Sequence, residues 1–183
     1  FDGAEEDEIE AELGRAWMID CAWEDVTERA WAWLKEVEYD TEYLEDDDDA
    51  RRSYIMQWLG QNPEYDPERL EYDYVYARRA VLREWLREHG YDPDDILLFT
   101  HDGVSLDERA RRDANARYAT LVLWIERTTG ERVPDGLSEA ELREMARRVA
   151  QRHNVTMPLV GKQIVYDGKT GERFDQPVTV GII

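Results

Sequence analysis

The sequence predicts a mostly α protein: a body of about six helices followed by a small β-hairpin at the C-terminus. Three observations lead there. Apolar residues recur at three- and four-residue spacing through most of residues 4–153, which is the period of an amphipathic helix. Ser, Asp, Pro and Gly stand where such helices begin and end. From Gly161 to Ile183 the character changes to two β-type runs, KQIVY and PVTVGII, around a turn-rich DGKTGE.

The first helix is predicted from Ala4 to about Met18, with Ile9, Leu13 and Trp17 on one stripe. Glu5, Glu6, Asp7 and Glu8 crowd its first turn, where the helix dipole favours negative charge. Asp20 reads as the N-cap of a second helix, about Ala22 to Val37, whose inward face carries Trp23, Val26, Ala30, Trp33 and Val37. Glu45 to Asp49 are five consecutive acids; their mutual repulsion predicts a solvated loop or a frayed helix start. A third helix follows over about Ala50 to Leu59, with Tyr54, Ile55, Trp58 and Leu59 apolar and Gly60 closing it.

Asp66-Pro67 is an N-cap followed by proline at the first helical position. It opens a fourth helix to His89, with Gly90 after its end and Leu70, Tyr74, Ala77, Val81, Leu82 and Trp85 inward. A short turn element near Asp94 to Thr100 holds the apolar run ILLF. Ser105 and Glu108 then form a capping box and open a helix to about Thr129, closed by Gly130. Its inward stripe is Leu106, Ala110, Ala114, Tyr118, Leu121, Trp124 and Ile125. Ser138 and Glu141 repeat the box before a last helix to about His153, with Leu142, Met145 and Val149 inward. In the hairpin, Asp167-Gly168 and Gly171 supply the turn, and Pro177 begins a strand. A weak echo runs through the helices: Trp33-Leu34, Trp58-Leu59 and Trp85-Leu86 each lead to a Tyr-Asp pair. It reads either as a short helical repeat or as large aromatics capping the buried ends of packed helices.

The 183 residues carry 23 Lys/Arg against 43 Asp/Glu, a net charge of −20. The imbalance lies in residues 1–76, with 25 acids against 6 bases; residues 77–183 are close to neutral. Such a front half repels phosphate and anionic membrane alike. It suits a basic protein surface, or simple solvation. Seven Trp and ten Tyr supply a sizeable core, and their place on inward stripes beside acids favours packing over base stacking. The one cysteine, Cys21, reads as a small buried apolar residue, compatible with a reducing compartment. No apolar run approaches the length of a membrane-spanning helix, and no signal-peptide pattern occurs.

Motifs for chemistry are lacking. His89, His101 and His153 have no metal-pair spacing. Asp46 to Asp49 lack the register of a calcium loop. Gly168-Lys169-Thr170-Gly171 lacks the first glycine and the helix of a phosphate loop, and no serine pairs with a histidine by pattern. Asn154-Val155-Thr156 is a glycosylation sequon, without meaning in a cytoplasmic protein. No catalytic, cofactor-binding or metal-ligating residue is therefore assigned.

The two ends of the chain nevertheless carry words. GKQIVYDGKTGERFDQPVTVG, at Gly161 to Gly181, resembles the C-terminal part of the β subunit of bacterial DNA-directed RNA polymerase. There a GK–LYDG–TGE–FD–PVTVG string is followed by further polymerase sequence. FDGAEEDEIEAEL, at Phe1 to Leu13, resembles the segment that subunit carries shortly before that string. Lys169 stands where the family usually has arginine, and Ile182-Ile183 where it has an aromatic-rich run. The resemblance, the missing initiator methionine and the stop inside an apparent strand together suggest a fragment. Its expected parts are residues 1–14 as one flank, 15–157 as an acidic all-helical insertion domain, and 158–183 as the other flank, forming the hairpin.

The resemblance implies transcription by a cytoplasmic nucleotidyltransferase complex. The partners it implies are the β′ and α subunits and the rest of β, together with a basic transcription-factor surface for the insertion. It implies no catalytic residue here, since the magnesium of that enzyme is held by β′ carboxylates. The insertion is expected to contact neither nucleic acid nor membrane, and to serve protein interaction or structural buttressing. The other reading open to the sequence is a free-standing acidic helical protein-interaction adaptor.

Overall fold

The computed structural model describes residues 6–37, 48–98 and 103–160, together with 162–163 and 178–179. The expectations placed on Glu45 to Asp47, on His101 and on the DGKTGE turn lie outside those residues. The described chain is mostly helical: α1 Glu6–Glu36, α2 Asp48–Leu59, α3 Pro67–Tyr72, α4 Tyr74–Glu88, α5 Leu106–Thr129 and α6 Glu139–His153, with a 3₁₀ turn at Pro93–Asp95.

Two boundaries differ from expectation. The first two helices are one: Asp20 is exposed within α1, and no Gly or Pro near it breaks the ladder while Met18, Cys21 and Ala22 are buried. The fourth is two. Asp73 leaves the helical region at φ −103°, ψ 93°, where its side chain accepts from the Tyr76 amide and its own amide bonds the Arg69 carbonyl. One aspartate thus ends α3 and starts α4. Of the other caps, Ser105 accepts from the Glu108 amide but the expected box is only half formed, since the Glu108 carboxylate turns to Arg112. Asp66 accepts from the Glu68 and Arg69 amides, and Ser138 with Glu141 forms a complete capping box. Gly90, at φ 81°, turns the chain so that the Tyr91 amide reaches back to the Leu86 carbonyl at 2.9 Å.

The small β-hairpin expected at the C-terminus is not supported. Lys162–Gln163 and Val178–Thr179 pair antiparallel, only two residues a side. Even a complete isolated hairpin is marginal in water.

The chain divides into two compact units, one of Phe1–Trp17 with Asp94–Ile183 and one of Met18–Pro93. Residues 94–157 therefore group with the two ends and not with the acidic middle, a division other than the expected one at 14 and 157. In the first unit α5 packs on α6 around Leu121, Trp124, Ile125, Val133, Leu142, Ala146 and Leu159, with Trp17 against that cluster. The inner face of α1 here is not the Ile9–Leu13–Trp17 stripe, which is half-buried; Ala11, Gly14 and Arg15 are the buried residues. Gly14 shows why. A Cβ built there would lie 2.4 Å from Thr120 Oγ1 and 3.2 Å from Leu159 Cδ2. Only glycine admits so close an approach of α5.

In the second unit α2, α3 and α4 pack on one another. Ile55, Leu70, Ala77 and Leu86 there are fully buried, as are Val26 and Ala30 of α1. Leu34, Leu59 and Leu86 of the Trp-Leu echo all lie buried in the last turns of their helices. Of the tryptophans beside them, Trp85 is buried while Trp33 and Trp58 are half-buried. Val37, Tyr74, Leu106 and Ala110, expected inward, are exposed.

Gly14→Ala should destabilise the chain by about 2 kcal/mol through overpacking, because Thr120 is fully buried and its hydroxyl donates to the Ala116 carbonyl at 2.7 Å. Chemical denaturation followed by circular dichroism checks this, and adding Thr120→Ala should recover part of the loss.

Candidate interaction surface

The densest polar cluster lies in the first unit. Arg15 and Asp113 face each other at 2.8 Å with side chains only 6% and 7% exposed. The same guanidinium donates from Nε to the Ile96 carbonyl at 2.9 Å and to Glu12 at 2.7 Å. Around it the arginines of α5 and α6 meet the acids of α1. Arg109 reaches Glu8 at 3.3 Å. Arg117 donates to the Asp7 carbonyl and to Glu139, each at 3.1 Å. Arg143 pairs with Glu10 and, at 2.7 Å, with Glu139. Burial raises the Glu139 carboxyl, but hydrogen bonds from Arg143 and Arg117 outweigh it and hold the group below its ordinary value. The hydrogen bond to Glu10 raises the Arg143 guanidinium. Opposite charges joined by several donors each fix helix positions. Each of these guanidinium groups is ion-paired, while Arg15 Nη2 and Arg109 Nε, both buried, have no hydrogen-bond partner among the described residues.

The second unit offers the exposed surface. At the α3–α4 corner Tyr72 is 81% exposed, Val75 57% and Tyr74 49%. Cations already lie over the neighbouring rings: Arg69 is 4.2 Å from the Tyr76 centroid, and Arg52 and Arg78 are each 5.4 Å from that of Tyr74. Glu68 and Glu71 are exposed on α3 beside Tyr72. Asp73 is held below its ordinary value by the Tyr76 amide and by Arg69.

A cleft of about 230 Å³ also lies in this unit, lined by Trp58, Leu59, Gln61, Asn62 and Glu84. Glu84 there accepts from the Tyr65 hydroxyl at 2.6 Å and from Arg87 at 2.9 Å. Burial and the Glu84 hydrogen bond raise the Tyr65 hydroxyl. The carboxylate is thus engaged by a phenol and a guanidinium.

The described residues weighed in the sequence stand on separate elements. His89 caps α4 and stacks on Trp85 at 4.3 Å. His153 is the exposed last residue of α6. Cys21 is buried within α1. Among the described residues no group of three or more His, Cys, Asp or Glu could hold a metal ion, and no helix is long and apolar enough to cross a membrane. Sequence reasoning missed the Arg15–Asp113 pair and the open corner at Tyr72. The arginines at 109, 117 and 143 stand against the acids at 8, 7 and 10, and this complementarity was the available signal.

Curated relatives agree with the resemblance to the polymerase β subunit. The chain is 36% identical over 105 residues to DNA-directed RNA polymerase subunit beta of Dehalococcoides mccartyi strain CBDB1, a match spanning 57% of this chain and 7% of that one. It is 44% identical over 54 residues to the subunit of Koribacter versatilis, covering 30% and 3%. It is 30% identical over 98 residues to that of Chlorobium chlorochromatii, covering 50% and 7%. The chain is thus similar to a segment of that subunit, and spans less than a tenth of the length of these relatives. The 105-residue match is longer than both flanks together, so the similarity reaches into residues 14–160. No family model and no solved structure matches.

Two outcomes follow from the charge cluster. Asp113→Leu leaves Arg15 buried without its partner and should cost about 3 kcal/mol; Arg15→Met with Asp113→Leu should cost much less. Urea denaturation distinguishes them. Glu139 is depressed in the folded state, so its contribution is fully present above the unfolded carboxyl value and is lost as pH falls through the folded one. Glu139→Gln should therefore flatten the fall of stability below about pH 4, read from denaturation midpoints across pH.

Proposed function

We propose that this chain is part of the β subunit of a bacterial DNA-directed RNA polymerase and that its acidic helical middle is a surface insertion serving protein interaction or buttressing. The observation that carries the reading is the similarity to β subunits over 57% of the chain, together with the division into two units. The unit made of both ends, Phe1–Trp17 with Asp94–Ile183, is the polymerase-like frame. Met18–Pro93 is entered from it and left to it. A match of 105 residues is longer than Met18–Pro93, so it takes in residues outside that segment.

Nested segments of this kind are tolerated where both chain ends return to the frame, because closure cost grows only slowly with loop length. The acidic charge of the middle disfavours contact with DNA or RNA. On this reading the partners are the β′ and α subunits, the rest of β, and a basic factor surface. The compartment is the cytoplasm. Catalysis and its magnesium belong elsewhere in the complex, and no residue here takes a chemical role.

Replacing residues 18–93 by a short Gly/Ser linker in the complete subunit should leave enzyme assembly and promoter-independent RNA synthesis intact. It should change a step that depends on a protein factor. Reconstitution followed by transcription assays checks this. Loss of assembly or of basal synthesis would contradict the reading.

A further inference from the structure

The open corner of the second unit has the makings of a docking face. Tyr72 is the most exposed large hydrophobic residue described. It follows Glu68 by four positions on α3 and Glu71 by one, and Val75 adds an exposed apolar surface in the first turn of α4. The neighbouring rings of Tyr74 and Tyr76 already receive arginine guanidinium groups of this chain. Among the described residues no cation lies over Tyr72. An aromatic face attracts a guanidinium through its quadrupole, and exposed carboxylates beside it add charge attraction and steer approach. A lysine ammonium is compact and strongly hydrated, whereas a guanidinium is planar and stacks. Arg52 and Arg69 stand at the same corner but are engaged, Arg52 with the Glu71 carbonyl and Arg69 with Asp73, so Glu68 and Glu71 set the charge offered to a partner and oppose the phosphates of a nucleic acid.

We propose that Tyr72, Val75, Glu68 and Glu71 form a docking surface for an arginine-bearing segment of a basic protein, with a guanidinium over the Tyr72 ring and its charge met by the two glutamates. This names the surface and partner chemistry for the interaction role proposed above, on which it rests.

The test uses the 183-residue chain and two synthetic twelve-residue peptides that alternate glycine with arginine or with lysine. Binding is read by calorimetry and by amide chemical shifts. The arginine peptide should bind more tightly than the lysine peptide, with shifts centred on residues 68–76. Tyr72→Ala should weaken arginine-peptide binding by about threefold or more. Glu68→Gln with Glu71→Gln should weaken it and reduce its salt dependence. Glu131→Gln with Asp135→Asn removes the same charge from an exposed site in the first unit, and should have a smaller effect. All these side chains are exposed, so unchanged circular dichroism should accompany each variant. The proposal is overturned by no binding, by equal binding of the two peptides, by a Tyr72→Ala variant that binds as the parent does, or by equal losses from the two charge-removing pairs. Tighter binding of a single-stranded oligonucleotide at the same residues would also overturn it. Because no polymerase enters the measurement, failure here leaves the deletion experiment on the subunit to judge the broader reading by itself.

Discussion

The Arg15 guanidinium is the group on which the first unit depends. It is taken out of water inside α1 and meets Glu12 in its own helix, the Ile96 carbonyl after the 3₁₀ turn, and Asp113 in α5. A buried charge is costly unless its donors are used and its charge is met. Arg15 satisfies that demand only if α1, the 96–97 segment and α5 are all in place. Three pieces far apart in sequence are therefore fixed by one side chain, and Gly14 next to it lets the α5 backbone come close enough. A hydrophobic pair would hold the same helices with less positional demand.

The same logic gives the uneven charge of the sequence a second meaning. The acids of residues 7–12 are not only surface charge and helix-dipole partners. Glu8 and Glu10 face Arg109 and Arg143, and Asp7 lies near Arg117. Part of the acidic front is thus matched inside the fold by the arginines of the nearly neutral back half. The acids that stay exposed, such as Glu68 and Glu71 around Tyr72, belong mostly to the second unit, where the surface is left to meet something else.

Local chemistry was legible in the sequence and distant pairing was not. Asp66-Pro67, Ser138 with Glu141, and Gly90 were readable because a cap acts across three or four residues. Asp20 misled because a capping residue starts a helix only where the preceding turn is broken, and nothing breaks it there. Asp73 was missed because an apolar stripe runs on either side of it, although its side chain caps Tyr76. The burial of Arg15 could not be read locally, since its acid stands on another helix. The exposure of Tyr74 and Leu106 likewise depends on which face the tertiary packing covers. For the site, the absence of catalytic motifs left only a surface to find. Tyr72 looks like any other aromatic until its exposure is known.

The central claim is that residues 1–17 and 94–160 form a frame that does not need the segment between them. Amide hydrogen exchange on a chain with residues 18–93 replaced by a short Gly/Ser linker tests it most directly. The account predicts that the core amides of α5 and α6, around Leu121, Ile125 and Leu142, keep the protection they have in the full chain. Rapid exchange throughout α5 and α6 in the shortened chain would contradict it.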